Sequence, residues 1–134
     1  MIRIDDLAIG FPDENGTGPP VVRGVSMEIE RGGRIGLVGE SGSGKSLLAL
    51  ACLGLLPRPG RLLGGSVAID STNLFAAPPG ELQKARGGRI GLVVQEAAAS
   101  LNPVYTVGFQ LAETIRAHCD VSRDDATRRA LSLF

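Results

Sequence analysis

Apolar positions along this chain fall into short runs whose period changes from one run to the next. Ile2, Ile4, Leu7 and Ile9 alternate imperfectly and predict a short strand; Phe11 to Pro20, crowded with Pro, Gly, Asp and Asn, predicts a loop. From Val21 to Glu30, Val25, Met27 and Ile29 share one side while Ser26, Glu28 and Glu30 share the other. That period of two predicts a half-exposed antiparallel strand, turned at Arg31, Gly32 and Gly33. Ile35 to Val38 has no polar face and predicts a strand covered on both sides in a parallel sheet. Lys45 to Leu56 is apolar almost all round and predicts a buried helix, ended by Pro57, Pro59 and Gly60.

The second half repeats this alternation of strand and helix. Gly64 to Asp70 predicts a strand with Val67 and Ile69 on its apolar side, and Pro79 to Arg86 a short polar helix begun by proline. Arg89 to Gln95 is a second apolar strand carrying Gln95 at its carboxyl end. Val107, Leu111, Ile115 and His118 recur at helical spacing behind a cap at Thr106, and Ser122 with Asp125 forms a capping box for a last helix running to Phe134. No internal repeat stands out.

Composition narrows the class. The 134 residues fit one domain or part of one, and the 43% apolar content with 19 glycines describes an α/β chain with tight turns. Fourteen basic and fourteen acidic residues cancel, so bulk charge gives no reason to expect a nucleic-acid partner. Cys52 and Cys119 lie far apart without metal-ligand spacing and read as plain thiols in a reducing compartment. Met1 to Asp6 lacks the pattern of a secretory signal, and the longest apolar run, Leu47 to Leu56, is too short for a bilayer, so a cytoplasmic protein is expected.

One motif carries chemistry. Gly39-Glu40-Ser41-Gly42-Ser43-Gly44-Lys45-Ser46 satisfies the P-loop pattern between a predicted buried strand and a predicted buried helix. Gly39, Gly42 and Gly44 let the backbone curl so that successive N–H groups point inward and make an anion site, while Ser41 and Ser43 line the same loop. Lys45 supplies a mobile positive charge for the terminal phosphates of a nucleoside triphosphate. Ser46 offers a hydroxyl to Mg²⁺, a hard cation that prefers oxygen ligands. ATP and Mg²⁺ are the expected ligands.

Gly36 to Ser46, GLVGESGSGKS, and Arg89 to Gly108, RIGLVVQEAAASLNPVYTVG, together resemble the ATP-binding cassette family, in particular the ATPase subunits of oligopeptide, dipeptide and nickel importers. The resemblance covers essentially the whole chain. It implies an α/β fold, the P-loop NTPase core of an ABC ATPase in part, preceded by an N-terminal antiparallel β subdomain. It makes Gln95 the Q-loop glutamine that reaches Mg²⁺ and the attacking water, and puts Phe11 where the family has an aromatic that stacks on adenine. Ser100, Leu101, Asn102 and Pro103 would lie near the groove that receives a cytoplasmic coupling helix of a membrane permease, and a second ATPase subunit would pack head to tail. The protein would then be peripheral on the inner face of the cell membrane. His118 has no chemical role in this reading.

The departures from that family are equally definite. Glu96 is followed by Ala97, Ala98 and Ala99 where the family has proline, and Arg31-Gly32-Gly33-Arg34 stands where it has Pro-Gly-Glu. Residues 1–134 are expected to be the N-terminal portion of one nucleotide-binding domain, ending before the signature, the Walker B carboxylates and the switch histidine. ATP binding without meaningful hydrolysis is expected of such a chain. A cassette ATPase of a soluble assembly, for instance in phosphonate metabolism, and a non-catalytic nucleotide-binding remnant remain as alternatives.

Overall fold

The computed structural model describes the whole chain except Asn15, Thr17 and Phe134, with Ala97 described by its backbone alone. Parts of the loop expected over Phe11 to Pro20, and Phe134, to which the last helix is expected to run, therefore lie outside the described residues. The chain divides into two compact units, Met1–Arg89 and Ile90–Phe134.

The first unit is built on four antiparallel strands in the order β2-β1-β3-β4: β1 Ile2–Gly10, β2 Pro20–Ile29, β3 Arg61–Ile69 and the two-residue β4 Thr72–Asn73. The imperfect alternation of β1 has a structural cause. Ile4 pairs with Met27 and Leu7 with Val25, three residues against two, and the same surplus recurs against β3, where Asp5 faces Ser66 and Ala8 faces Gly64. Asp6 is the extra residue, with φ +42, and its amide donates to Ser26 Oγ at 2.9 Å. This bulge lets Ile4 and Leu7 both point inward, where they are buried with Ile9, Val67 and Ile69. Gly24 (φ +57) and Gly65 (φ +78) continue the irregularity across the neighbouring strands.

Two expectations for the first helix are corrected here. α1 spans only Lys45–Ala51. It stops at Gly54, whose φ of +63 permits a left-handed cap: Gly54 N–H donates to Ala51 O and Leu55 N–H to Leu50 O, the paired bonds of a Schellman turn. The prolines lie beyond an ending already made. Nor is α1 buried all round, since Leu48 and Ala51 are covered but Ala49 is exposed. α2, Pro79–Gly88, begins at proline as expected and then breaks at Arg86 (φ −70, ψ 127) and Gly87 (φ 80, ψ −30), the geometry of a type II turn.

The two strands expected to be covered on both faces are not strands in the structure. Residues 35–38 join no ladder, leaving Val38 96% exposed; residues 91–94 likewise, leaving Val93 94% exposed, with only an isolated bridge at Ile90. A parallel strand needs parallel neighbours, and every strand pair described in the first unit is antiparallel. These two stretches also correct the reading of no repeat. Arg-Gly-Gly-Arg-Ile-Gly-Leu-Val occurs at 31–38 and again at 86–93, with Gly32 at φ +77 and Gly87 at φ +80.

The second unit is a helical hairpin, α3 Val107–His118 and α4 Arg123–Leu131, preceded by a 3₁₀ turn at Ala97–Ser100. Its core is Ala112, Ala126 and Ala130, with Leu111, Ile115 and Val121 packed against them; small residues at the contact let the two helices approach closely. Both expected caps form, Thr106 accepting from Phe109 N–H and Ser122 from Asp125 N–H. Ser122 Oγ also donates to Asp125 Oδ2 at 2.6 Å, and Arg128 lies 2.6 Å from Oδ1. The Ser122 hydroxyl first, then the Arg128 charge, holds the Asp125 carboxyl below its ordinary range. A carboxylate held low stabilises the fold above its unfolded pKa and loses that contribution as pH falls through the folded one. Carboxyl NMR shifts should therefore give Asp125 a midpoint below that of a free aspartate, and Ser122→Ala should move it up toward the ordinary value; an unmoved midpoint would refute the cap's part in it.

Candidate functional site

The P-loop takes the curled form its glycines predict. Gly42 has φ +80 and Gly44 φ +90, the latter serving as the N-cap of α1, and Ser43 N–H donates to Glu40 O at 3.3 Å. A Cβ on Gly39 would sit 2.9 Å from Ser43 Oγ, and one on Gly44 would meet Val22 Cγ2 at 3.3 Å, so side chains there would crowd the curl. Lys45 Nζ folds back into the loop and donates to Gly39 O at 2.7 Å, Glu40 O at 2.5 Å and Ser43 Oγ at 3.2 Å. Ser46 follows on the first turn with its side chain exposed, and Ser41 is exposed at the rim. The structure thus brings together Gly39, Ser41, Gly42, Ser43, Gly44, Lys45 and Ser46.

A cleft of about 330 Å³ adjoins this loop, lined on one side by Gly39, Gly44, Lys45 and Leu48 and on the other by the β2 residues Val22 and Val25. Phe11 lies elsewhere in the first unit. It lines a separate cleft of about 290 Å³ with Gly10, Pro12, Arg61 and Leu63, and its ring leaves only 2.9 Å for a Cβ on Gly60. The two clefts share none of these lining residues.

Gln95 and the Ser100 to Pro103 segment belong to the second unit, so the structure fixes each only within that unit. Gln95 sits exposed in a turn ahead of the 3₁₀ segment. The Asn-Pro turn is rigidly built. Asn102 Oδ1 accepts from Val104 N–H, and Gln110 closes the turn from α3: its Oε1 accepts from Asn102 N–H at 2.9 Å, and its Nε2 donates to Asn102 O at 2.9 Å and Tyr105 O at 3.0 Å. Tyr105 stacks on Phe109 with ring centroids 5.1 Å apart. His118 is exposed.

Sequence reasoning passed over two polar residues that organise these regions, Gln110 and Arg86. Arg86 Nε donates to Leu53 O at 2.7 Å and its Nη2 to Gly54 O at 2.8 Å, so a residue of α2 holds the last carbonyls behind α1. Arg86 reads in sequence as one more charge on a polar helix; only the duplicated octapeptide containing it could have drawn attention there. Both cysteines are free thiols, and burial pushes Cys52 up from its ordinary value. Among the described residues no helix is long and apolar enough to cross a membrane, and no cluster of His, Cys, Asp and Glu is arranged for a metal.

Comparison with known proteins gives a consistent result. The ABC transporter family profile matches residues 22–133. The oligopeptide transport ATP-binding protein OppD of Mycobacterium tuberculosis is 42% identical over the whole chain, which spans 22% of that protein. The dipeptide transport ATP-binding protein DppD of Escherichia coli is 35% identical, again over the whole chain and over 41% of its own length. A solved ATP-binding cassette, described as a dimer in a post-hydrolysis state bound to ADP and Pi, superposes with a TM-score of 0.74 at 21% identity, covering 98% of this chain and 55% of that one. The chain therefore spans well under half the length of the curated relatives named here.

Proposed function

This chain belongs to the ABC transporter family, and on that basis we propose that it is the nucleotide-gripping front portion of an importer's ATP-binding subunit, with peptides as the cargo of the whole system. The observation that carries the reading is the curled Gly39–Ser46 loop, with the Lys45 ammonium folded back onto its carbonyls and Ser46 exposed next to it. The loop amides and Lys45 hold the phosphates of ATP, and Ser46 Oγ is a ligand for the accompanying Mg²⁺. A bound Mg²⁺ would screen phosphate charge and orient the terminal phosphoryl group.

Further roles rest on family likeness. Gln95 would take the part of the family's Q-loop glutamine within its own unit, and Phe11 would offer its ring to adenine. The turn at Asn102 and Pro103, stiffened by Gln110 and carrying the exposed Tyr105, faces a membrane permease, and a second ATPase subunit completes the site head to tail. The described residues supply no membrane-crossing helix, so a transport role calls on spanning segments outside them. The ATPase subunits are peripheral to the membrane in this reading.

Calorimetric titration of the purified chain with ATP tests the proposal. Binding is expected to tighten with Mg²⁺, the Mg²⁺ increment is expected to vanish in Ser46→Ala, and phosphate release is expected to stay at background. Absence of ATP binding would sink the reading, and Mg²⁺-dependent turnover would overturn its limit to binding.

A further inference from the structure

The octapeptide Arg-Gly-Gly-Arg-Ile-Gly-Leu-Val appears twice, and its first arginine does two different things. In the first copy Arg31 leaves its side chain 82% exposed and pairs with Asp70 at 3.1 Å on the surface. In the second, Arg86 is half-buried and spans Leu53 O and Gly54 O with a two-pronged fork. Gly32 and Gly87 adopt nearly the same φ, so this peptide makes its turn whichever partner the arginine takes, a surface carboxylate or two backbone carbonyls. The fork is therefore not a requirement of the turn that bears it. Its beneficiary is the segment it holds.

That segment is the rear of α1. Seven residues make roughly two turns, about 10 Å from end to end. Lys45 and Ser46 are the first two residues of the helix; Leu53 and Gly54 close it behind. The Schellman bonds satisfy the carbonyls of Leu50 and Ala51 but leave those of Leu53 and Gly54, and these are the two the guanidinium takes. The grip is close: a Cβ on Gly54 would lie 3.3 Å from Arg86 Nη2 and 3.4 Å from Leu82 Cδ1. A helix this short tilts as a rigid body, so a displacement allowed at Gly54 is transmitted to Lys45 and Ser46.

We infer that Arg86 is a positioning residue for the P-loop, fixing the orientation of α1 and with it the placement of Lys45 and Ser46 against a nucleoside triphosphate. This rests on the nucleotide-binding reading above. Lysine cannot reproduce a planar fork, because its ammonium is a single point on a flexible stem.

The test compares Mg-ATP affinities, by titration calorimetry, of the full chain and four variants. Arg86→Lys and Arg86→Gln are expected to bind ATP about fivefold or more weakly while remaining folded by circular dichroism. Arg31→Gln, the same change in the other copy, is expected to stay within about twofold. Ile4→Val loosens the buried face of β1, which takes no part in the Arg86 fork, and should lower the melting temperature without a matching loss of affinity. The inference fails if both Arg86 variants bind ATP as the unchanged chain does, or if Ile4→Val weakens binding in proportion to its melting temperature as they do. Should the unchanged chain bind no ATP, the nucleotide reading itself falls, which is a different result from either.

Discussion

Lys45→Ala is expected to weaken ATP binding by about 100-fold, the largest single loss available in this chain. The ammonium is the only positive charge on the Gly39–Ser46 loop. It reaches Gly39 O, Glu40 O and Ser43 Oγ, so the same side chain that would meet a phosphate also ties the loop's own acceptors together. Removing it costs affinity twice: the charged hydrogen bond to phosphate is lost, and the curl loses the brace that holds its shape. Lys45→Arg separates the two effects. It keeps the charge but brings a wider, planar head to carbonyls spaced for a point donor, so intermediate affinity is expected. Fluorescent-nucleotide titration at fixed ionic strength is the measurement, and Lys45→Ala binding within twofold of the unchanged chain would end the case for this loop.

The second large effect belongs to the fold. Gly65→Ala should destabilise the first unit by roughly 3 kcal/mol, a large share of the stability of an ordinary domain. Two penalties coincide there. Gly65 has φ +78, a conformation costly for alanine, and a Cβ would sit 2.3 Å from the carbonyl oxygens of both Asp5 and Asp6. Those oxygens belong to the bulged backbone of β1, the strand both β2 and β3 depend on, so they cannot yield without disturbing three strands. The adjacent Gly64 is the control, because a Cβ there meets nothing within 4 Å. Gly64→Ala should stay within about 0.5 kcal/mol in urea denaturation. Equal midpoints for the two variants would show that the bulge is not the constraint described.

What could be read from sequence depended on whether the cause of a feature was local. The strands at Ile2, Val21 and Val67 announced themselves by alternation, and the caps at Thr106 and Ser122 by residue type, because hydroxyl and backbone meet within three positions. The P-loop was equally legible, its glycine spacing dictating the positive φ at Gly42 and Gly44. Features with a distant cause were not. The bulge at Asp6 shows in sequence only as a faltering alternation, and its counterparts at Gly24 and Gly65 look like incidental glycines. α1 was read too long because Gly54, sitting inside an apolar run, weighed less than the prolines behind it. Arg86 acts across more than thirty residues, and no local pattern announces that.

The twin octapeptides also bear on how the chain behaves in concentrated solution. Each contains an aliphatic run, Ile35 to Val38 in the first and Ile90 to Val93, extended by Val94, in the second, that is free of proline and charge and open to solvent at its valines. Such runs template stacking between molecules into cross-β assemblies. Each is also bracketed by charge, Arg34 and Glu40 around the first, Arg89 and Glu96 around the second. A parallel, in-register stack of either run would line up identical arginines at one border and identical glutamates at the other, setting like charges against one another at every layer. The arginine that opens each run thus serves as a gatekeeper against parallel self-association, close to the exposed Val38 and Val93.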